Sequence, residues 1–161
     1  MSEERRDCIS MKTRWTIEKF EDDEAVKENK PYEVEYIDGN LAMNAGIDLM
    51  WDLTTAAGGQ GYDNSNAYIG VGNDNTAAAA AQTDLIGTNA RVGMNGGYPT
   101  TTSQIATFQS DFGSAVGNFD WEEWGVFNAA AAGTMLNRKV SSQGTKVSGQ
   151  TWQVTLAITM S

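Results

Sequence analysis

Alternating apolar and polar residues recur along this chain and predict a series of short β-strands. The clearest run is residues 151–160, where one face would carry Trp152, Val154, Leu156, Ile158 and Met160. Successive side chains of a strand point to opposite faces, so this alternation predicts a half-buried strand. Shorter runs of similar character are residues 67–72, 90–94, 103–110, 121–127 and 134–140. Gly, Asn, Ser and Thr separate the runs, and we therefore predict a mainly β protein with an antiparallel β-sandwich or jelly-roll-like fold.

One segment has the periodicity of a helix instead. Apolar residues recur there near helical spacing, at Leu41, Met43, Ile47, Met50 and Trp51. Asn40 precedes them as a suitable N-cap, and two consecutive glycines follow as a stop signal. The sequence therefore predicts one α-helix near residues 41–55. Residues 76–84, TAAAAAQTD, are compatible with a helical turn or with a loose loop across one end of the sandwich.

Charge divides the chain into two parts. Residues 1–38 hold seven of the 11 Lys and Arg residues and 12 of the 21 Asp and Glu residues. Two strand-like runs, residues 13–20 and 32–37, flank a polar stretch that is typical of a mobile loop. We interpret residues 1–38 as a charged N-terminal arm and residues 39–161 as a β-sandwich domain with one helix. Met11 is an alternative start of the natural chain.

The overall charge narrows the possible partners. The 161 residues have a formal net charge of −10, which would repel nucleic acid and anionic membranes. Cys8 is the single cysteine, so no intrachain disulfide can form. Residues 1–15 lack the apolar core of a secretory signal, and no apolar run approaches the roughly 18 residues of a membrane span. We therefore expect a soluble protein that is synthesised in cytoplasm.

The residue types give little support to catalysis. Histidine is absent, which removes Ser-His and Cys-His nucleophile systems and the zinc-binding HExxH helix. No phosphate-binding glycine motif occurs. Asp63 and Asp74 lie in an oxygen-rich stretch that leaves Ca²⁺ as an alternative, but its spacing differs from an EF-hand loop, and Asp and Asn are the usual turn residues. We expect no cofactor, no metal and no enzyme activity.

Residues 118–140, NFDWEEWGVFNAAAAGTMLNRKV, contain the strongest candidates for a site. Glu122 and Glu123 would suit a glycosidase-like acid pair, which requires two carboxyl groups facing across one substrate. Trp121 and Trp124 would suit a sugar-binding platform. Both pairs have odd spacing, so on a β-strand their members fall on opposite faces and cannot share one site.

A β-hairpin is the simpler interpretation of this segment, with NAAAAG as its turn and TMLNRKV as the returning strand. Trp124 and Val126 would then face the core. Trp121 and Phe127 would lie on the other face, where they are candidate residues of an interface between subunits.

The order of several motifs resembles a family of small structural proteins of tailed bacteriophages, often labelled tail fibre or minor structural protein. The motifs are YIGVGNDNTAAAAAQTDL, FQSDFGSAVGNFDWEEWGVFNA and TMLNRKVSSQGTKVSGQTWQVTLAITMS, preceded by RWTIEKF and PYEVEYIDGNLAMNAGIDLMWDL. The likeness covers roughly residues 13–161. It implies a virion component and no catalytic residues.

Two positions on a virion are compatible with this resemblance. The favoured function is a capsid decoration (cement) protein on the outer surface, bound to the major capsid protein or other virion proteins as a homo-oligomer, with a trimer as the expected unit. The alternative is a tail fibre or receptor-binding module. Its surface loops around Tyr62, Tyr68 and Tyr98 would then contact a host glycan.

Overall fold

Two antiparallel sheets of five strands each form a β-sandwich in this computed structural model, which describes residues 9–161. The chain is mainly β, as the alternation predicted. The first sheet contains β1 (Met11–Phe20), β2 (Glu33–Asp38), β6 (Thr100–Thr102), β7 (Ile105–Phe112) and β10 (Thr151–Met160), in the order β2-β1-β10-β7-β6. The second contains β3 (Leu41–Ala42), β4 (Tyr68–Gly72), β5 (Asn89–Gly93), β8 (Glu123–Phe127) and β9 (Met135–Val140), in the order β3-β9-β8-β4-β5.

Strand β10 lies at the centre of the first sheet, and its predicted alternation is confirmed. Trp152, Val154, Leu156 and Ile158 are buried between the sheets, while the residues between them are half-buried. Each large side chain of this kind contributes about 1.5–3 kcal/mol when it leaves water. The main core between the two sheets is therefore built around this strand.

Residues 11–38 belong to the sandwich, which corrects the division into an arm and a domain at residue 38. Strand β1 pairs with β10 over ten residues, from Met11 opposite Met160 to Phe20 opposite Thr151, and with β2 on its other side. The alternation that predicted a strand here also places Trp15 and Ile17 in the main core. Most charged residues of this part lie at exposed positions and turns, although Lys19 is buried in ion pairs with β2. Residues 1–8 of the predicted arm, with Cys8, lie outside the described residues.

The two helices differ from the expectation of one helix over residues 41–55. Helix α2 spans Asn44–Thr54, because Leu41 and Ala42 pair with β9 as strand β3. Its first turn approaches β9 so closely that a Cβ on Gly46 would lie 2.7 Å from Leu136 Cα. The short helix α1 (Asp23–Lys27) was not predicted, although Asp22 caps it by accepting hydrogen bonds from two backbone N–H groups.

The predicted hairpin over residues 121–140 is confirmed as β8 and β9, with the tip exposed at residues 130–133. Trp124 and Val126 face the main core as expected. Trp121 and Phe127 were expected to be exposed, and this was wrong, since neither has solvent exposure. Trp121 precedes the strand, so the alternation does not reach it, and its ring packs edge-on against Phe112 at 4.9 Å.

Phe127 does lie on the outer face of the second sheet, but residues 73–88 cover it. This segment connects β4 to β5 without a helix and crosses the outer face of that sheet rather than the end of the sandwich. Leu85 packs there against Met43, Phe127 and Met135. We call these four residues, with the adjacent pair Glu123 and Arg138, the outer cluster.

Candidate functional site

Glu123 lies in a buried ion pair rather than in an acid pair. Its Oε2 accepts a hydrogen bond from Arg138 Nε at 2.8 Å, and Arg138 Nη2 lies 2.7 Å from the same oxygen. Neither side chain has solvent exposure. The N–H groups of Ile86 and Gly87 donate to Glu123 Oε1 at 3.0 and 2.9 Å, and Gln82 accepts from Arg138 Nη1 at 2.9 Å. These charges are balanced inside the protein, where a substrate does not reach them.

Glycines on β4 make room for this arrangement. Gly72 pairs with Glu123, and a Cβ at Gly72 would lie only 2.6 Å from the Glu123 Oε1 atom. Gly70 lies two residues earlier, and a Cβ there would lie 2.8 Å from the Phe127 ring. Larger residues at either position would collide with the outer cluster.

Arg91 on β5 joins the hairpin tip to the covering segment. Its guanidinium carbon lies 3.5 Å from the centroid of the Phe127 ring, a cation–π contact. Arg91 Nη1 donates to the carbonyl oxygens of Ala129 and Ala132 at 3.1 and 2.6 Å, while Nη2 contacts Asp84 Oδ1 at 2.6 Å. The outer face of the second sheet is therefore held by polar contacts as well as by apolar burial.

The neighbouring acid Glu122 has a separate partner. Its Oε1 accepts a hydrogen bond from Ser142 Oγ at 2.9 Å, and the side chain is half-buried. Glu123 meanwhile lies under residues 73–88 with Arg138. The two carboxyl groups therefore share no site, as the spacing indicated.

The three tyrosines that were predicted to lie in surface loops are all half-buried. Tyr62 donates a hydrogen bond to the carbonyl oxygen of Thr134 at 3.2 Å, and burial raises the pKa of its hydroxyl. Tyr68 packs against the outer cluster. Tyr98 makes no aromatic platform with either of them among the described residues. By contrast, Tyr36 on β2 is 69% exposed.

The two candidate calcium ligands both make turns. Asp63 Oδ1 accepts hydrogen bonds from the N–H groups of Ser65 and Asn66 at 2.9 and 3.0 Å. Hydrogen bonds from the side chain and backbone of Thr76 lower the pKa of Asp74. Within residues 9–161, no group of three or more acidic or cysteine side chains is placed to hold a metal ion.

Lys146 is a buried cation without a carboxylate hydrogen bond. Its Nζ donates to the carbonyl oxygen of Gly113 at 2.9 Å and to Asn118 Oδ1 at 2.8 Å. Burial lowers the pKa of Lys146 to about 8, while the charge of Asp23 opposes this shift. Both acceptors lie in loops, so we interpret Lys146 as a residue that holds these loops together.

An uncovered apolar groove lies at one end of the sandwich, beside α2. We call it the terminal groove, and its volume is about 490 Å³. It is lined by Ile47, Met50, Trp51 and Thr54 of α2 and by Ile9, Met11, Ala42 and Met160. None of these side chains carries a charge. The indole of Trp51 is 60% exposed, whereas the other four tryptophans are buried in the main core.

A smaller apolar cavity shares part of its lining with the terminal groove and is also lined by residues of the main core. This inner cavity has a volume of about 200 Å³, and its walls include Ala106, Phe108, Leu136 and Ile158. Three methionines, Met11, Met50 and Met160, line both spaces. An exposed apolar surface of this kind commonly marks a contact site, and the terminal groove is our candidate functional site.

The sequence contained a signal for this groove. Ile47, Met50, Trp51 and Thr54 follow the spacing of one helix face, and the first three belong to the pattern that predicted a helix in this segment. The same spacing is usual for a face that packs on the core. In the structure, Gly46 and Leu49 form the buried face instead. Only the packing of α2 on β9 reveals which side remains exposed.

Comparison with known proteins gives no relative for this chain. No protein-family model matches it, and neither a curated protein nor a solved structure is significantly similar to it. No helix in the described part of the chain has the length and apolarity needed to cross a membrane.

Proposed function

We propose that this protein is a structural component of a tailed-bacteriophage virion, attached to the outer surface of the particle as a capsid decoration protein. The observation that carries the proposal is the terminal groove. It leaves Trp51 and Ile47 exposed side by side at one end of the sandwich. Apolar surface of this kind is costly in water and is usually covered by a partner.

Charge supports an outward position on the particle. The net charge of −10 would repel packaged nucleic acid and favours a position outside the capsid shell. The residues that looked most like catalytic groups, Glu122 and Glu123, are engaged in internal contacts. The motifs that resemble phage structural proteins agree with a role in binding.

A tail fibre or receptor-binding module is the second candidate function. It would use aromatic side chains to contact a host glycan. Tyr62, Tyr68 and Tyr98 are half-buried and would contribute little to such a contact. Tyr36 would be a better starting point for this alternative, because its ring is well exposed on β2.

A homo-oligomer, with a trimer as the favoured unit, remains part of the proposal. Decoration at a symmetry axis would make a closed cyclic assembly natural. The contact between subunits has to lie outside Trp121 and Phe127, since both are buried within one chain. Mass measurement of the purified protein tests this point, and a strict monomer at high concentration would remove the trimer.

The number of copies per virion separates the two positions on the particle. Quantitative mass spectrometry of purified virions, with the major capsid protein as the internal standard, should give hundreds of copies for a capsid decoration protein. Electron micrographs should show the additional density over the whole head. A few copies confined to the tail would instead support the receptor-binding alternative.

Rebinding to particles that lack the protein tests the terminal groove itself. Trp51→Ser should weaken rebinding by about 30-fold or more, which corresponds to the roughly 2 kcal/mol lost at an interface hot spot. The matched control is Tyr36→Ser, which removes another exposed aromatic ring from a different surface. Equal effects of the two substitutions, or no effect of the first, would contradict attachment through the groove.

A further inference from the structure

The terminal groove and the inner cavity form one stepped apolar site. Met11, Met50 and Met160 line both, so the two spaces are neighbours that share three flexible thioether side chains. Methionine has several low-energy rotamers and makes favourable sulfur–aromatic contacts. A ligand that enters the groove can therefore reach the inner cavity by displacing side chains alone, without movement of the strands.

The size and polarity of the inner cavity select an aromatic ring. Its volume of about 200 Å³ exceeds the roughly 150 Å³ of a cavity that holds benzene. Among its lining residues, Tyr62 already uses its hydroxyl to contact Thr134, which leaves Gln104 as the main polar group. A charged or strongly polar ligand would lose its hydration there without compensation.

Two acidic side chains lie next to the groove residues of α2 in the sequence. Asp48 and Asp52 lie one turn apart on the exposed surface of α2, and neither has an ion-pair partner among the described residues. A second copy of the chain would bring the same two acids to the contact, with a further net charge of −10. Residues 1–8 contain no aromatic side chain. Charge and ring size together therefore favour a different protein that carries Lys or Arg.

We propose that the stepped site binds a basic segment of a partner protein, which inserts one aromatic side chain through the terminal groove into the inner cavity. The ring would lie among the three methionines, and Lys or Arg side chains flanking it would approach Asp48 and Asp52. This inference rests on the proposed function in taking the groove as an attachment site. Its test uses the isolated protein and small probes, so its failure is distinguishable from failure of the virion assignment.

The test is a titration of the full-length protein with two small probes, followed by NMR of methyl-¹³C methionine. Phenethylamine and phenylacetate carry the same ring with opposite charge. Phenethylamine should shift the methyl signals of Met11, Met50 and Met160 through the ring current, and leave Met43 and Met135 of the outer cluster unchanged. It should bind about two- to fivefold more tightly than phenylacetate, the size expected of screened surface charges.

Further variants test separately whether the ring enters the inner cavity and whether the two acids of α2 attract the cation. Ala106→Leu fills the inner cavity and should abolish the shifts, and the milder Ala106→Val should weaken binding if the leucine variant does not fold. Ala157→Leu makes the same change on β10, on the face away from the core, and should bind normally. Asp48→Asn with Asp52→Asn should remove the preference for the cation.

Three results would overturn the proposal. The first is the absence of methionine shifts with either probe, and the second is equal binding of the cation and the anion. The third is unchanged binding in a folded Ala106→Leu or Ala106→Val protein, which would place the ring outside the inner cavity.

Discussion

The two faces of the second sheet are buried in different ways. On the inner face, Trp124 and Val126 meet Trp15 from the first sheet, and the rings of the two tryptophans contact edge-on at 6.0 Å. On the outer face, Glu123 and Arg138 form an ion pair beneath residues 73–88. The inner face is stabilised by apolar area alone, whereas the outer face combines apolar burial with a balance of charge that depends on both partners.

This difference has an energetic consequence. Apolar burial adds up residue by residue, in rough proportion to the area removed from water. A buried ion pair repays its desolvation only when the geometry is good and the remaining polar atoms find partners. Ile86, Gly87 and Gln82 supply most of these partners here, although Arg138 Nη2 makes no hydrogen bond among the described residues. We therefore expect graded losses when the inner face is altered and abrupt losses when one charge is removed from the outer face.

The largest loss of stability should follow from deleting β1 of the first sheet, which packs against the inner face of the second sheet. Deleting residues 1–20 removes β1 and with it Trp15 and Ile17, and exposes the paired edges of β10 and β2. This chain should fail to fold and should be insoluble on expression. A chain that starts at Ile9 keeps every described residue and is the control. A soluble deletion product with a cooperative thermal transition would restore the idea of a separable arm.

The next largest effect should come from the outer face. Glu123→Ala leaves the Arg138 guanidinium buried without its counter-charge and should lower the free energy of unfolding by about 3–5 kcal/mol. Combining Glu123→Leu with Arg138→Met removes both charges and should recover much of that loss. Urea titrations of the single and double variants measure the difference. A double variant as unstable as the single one would mean that the outer face depends on packing, as the inner face does.

The sequence predicted the residues that meet the main core far better than those that are buried on the outer face of the second sheet. Strand β10 was recognised because its alternation reports directly which side chains meet the core. Strand β6 has only threonines and no apolar alternation, so its pairing with β7 had no signal. The pairing of Glu123 with Arg138 depends on contacts between distant segments, which no local pattern contains. Gly70 and Gly72, two glycines within a strand, were the available hint that something approaches the sheet closely there.

The terminal groove also depends on contacts between distant segments, which local sequence patterns do not contain. The helical spacing of Ile47, Met50 and Trp51 predicted a helix but did not show which of its faces would remain exposed. The tight approach at Gly46 turns the helix so that its small residue, rather than its tryptophan, faces β9. The choice between two helix faces depends on the shape of the neighbouring strand, and that shape is not encoded within the helix itself.

Lys146 can be compared with the ion pair of the outer face, because it is a buried cation whose hydrogen bonds go to Gly113 and Asn118 instead of a carboxylate. A pH titration measures what this burial costs. The pKa of Lys146 is lowered to about 8 in the folded protein from an ordinary value of 10.5. Between these values the unfolded chain binds more protons than the folded one, so the free energy of unfolding should rise with pH. The rise should be measured between about pH 8 and pH 10, because the raised pKa of Tyr62 acts in the opposite direction above that.

Substitution isolates the contribution of this lysine. Lys146→Met should flatten the rise in urea midpoint across this pH window, since the titrating group is gone. Lys12→Met, at an exposed position on β1, should leave the rise intact. An unchanged slope in the Lys146→Met protein would show that another group titrates in its place.

The smallest effect on stability should come from the terminal groove. Trp51→Ser removes a large ring that is 60% exposed, so the free energy of unfolding should fall by only about 1 kcal/mol. Trp124→Ala, which removes a fully buried ring from the inner face, should cost about 3–5 kcal/mol. Urea midpoints of the two variants give the contrast directly. If Trp51→Ser were as costly as Trp124→Ala, the groove would belong to the core, and its exposed ring would no longer indicate a partner. A stable Trp51→Ser protein that loses binding to particles would assign this ring to recognition instead of folding.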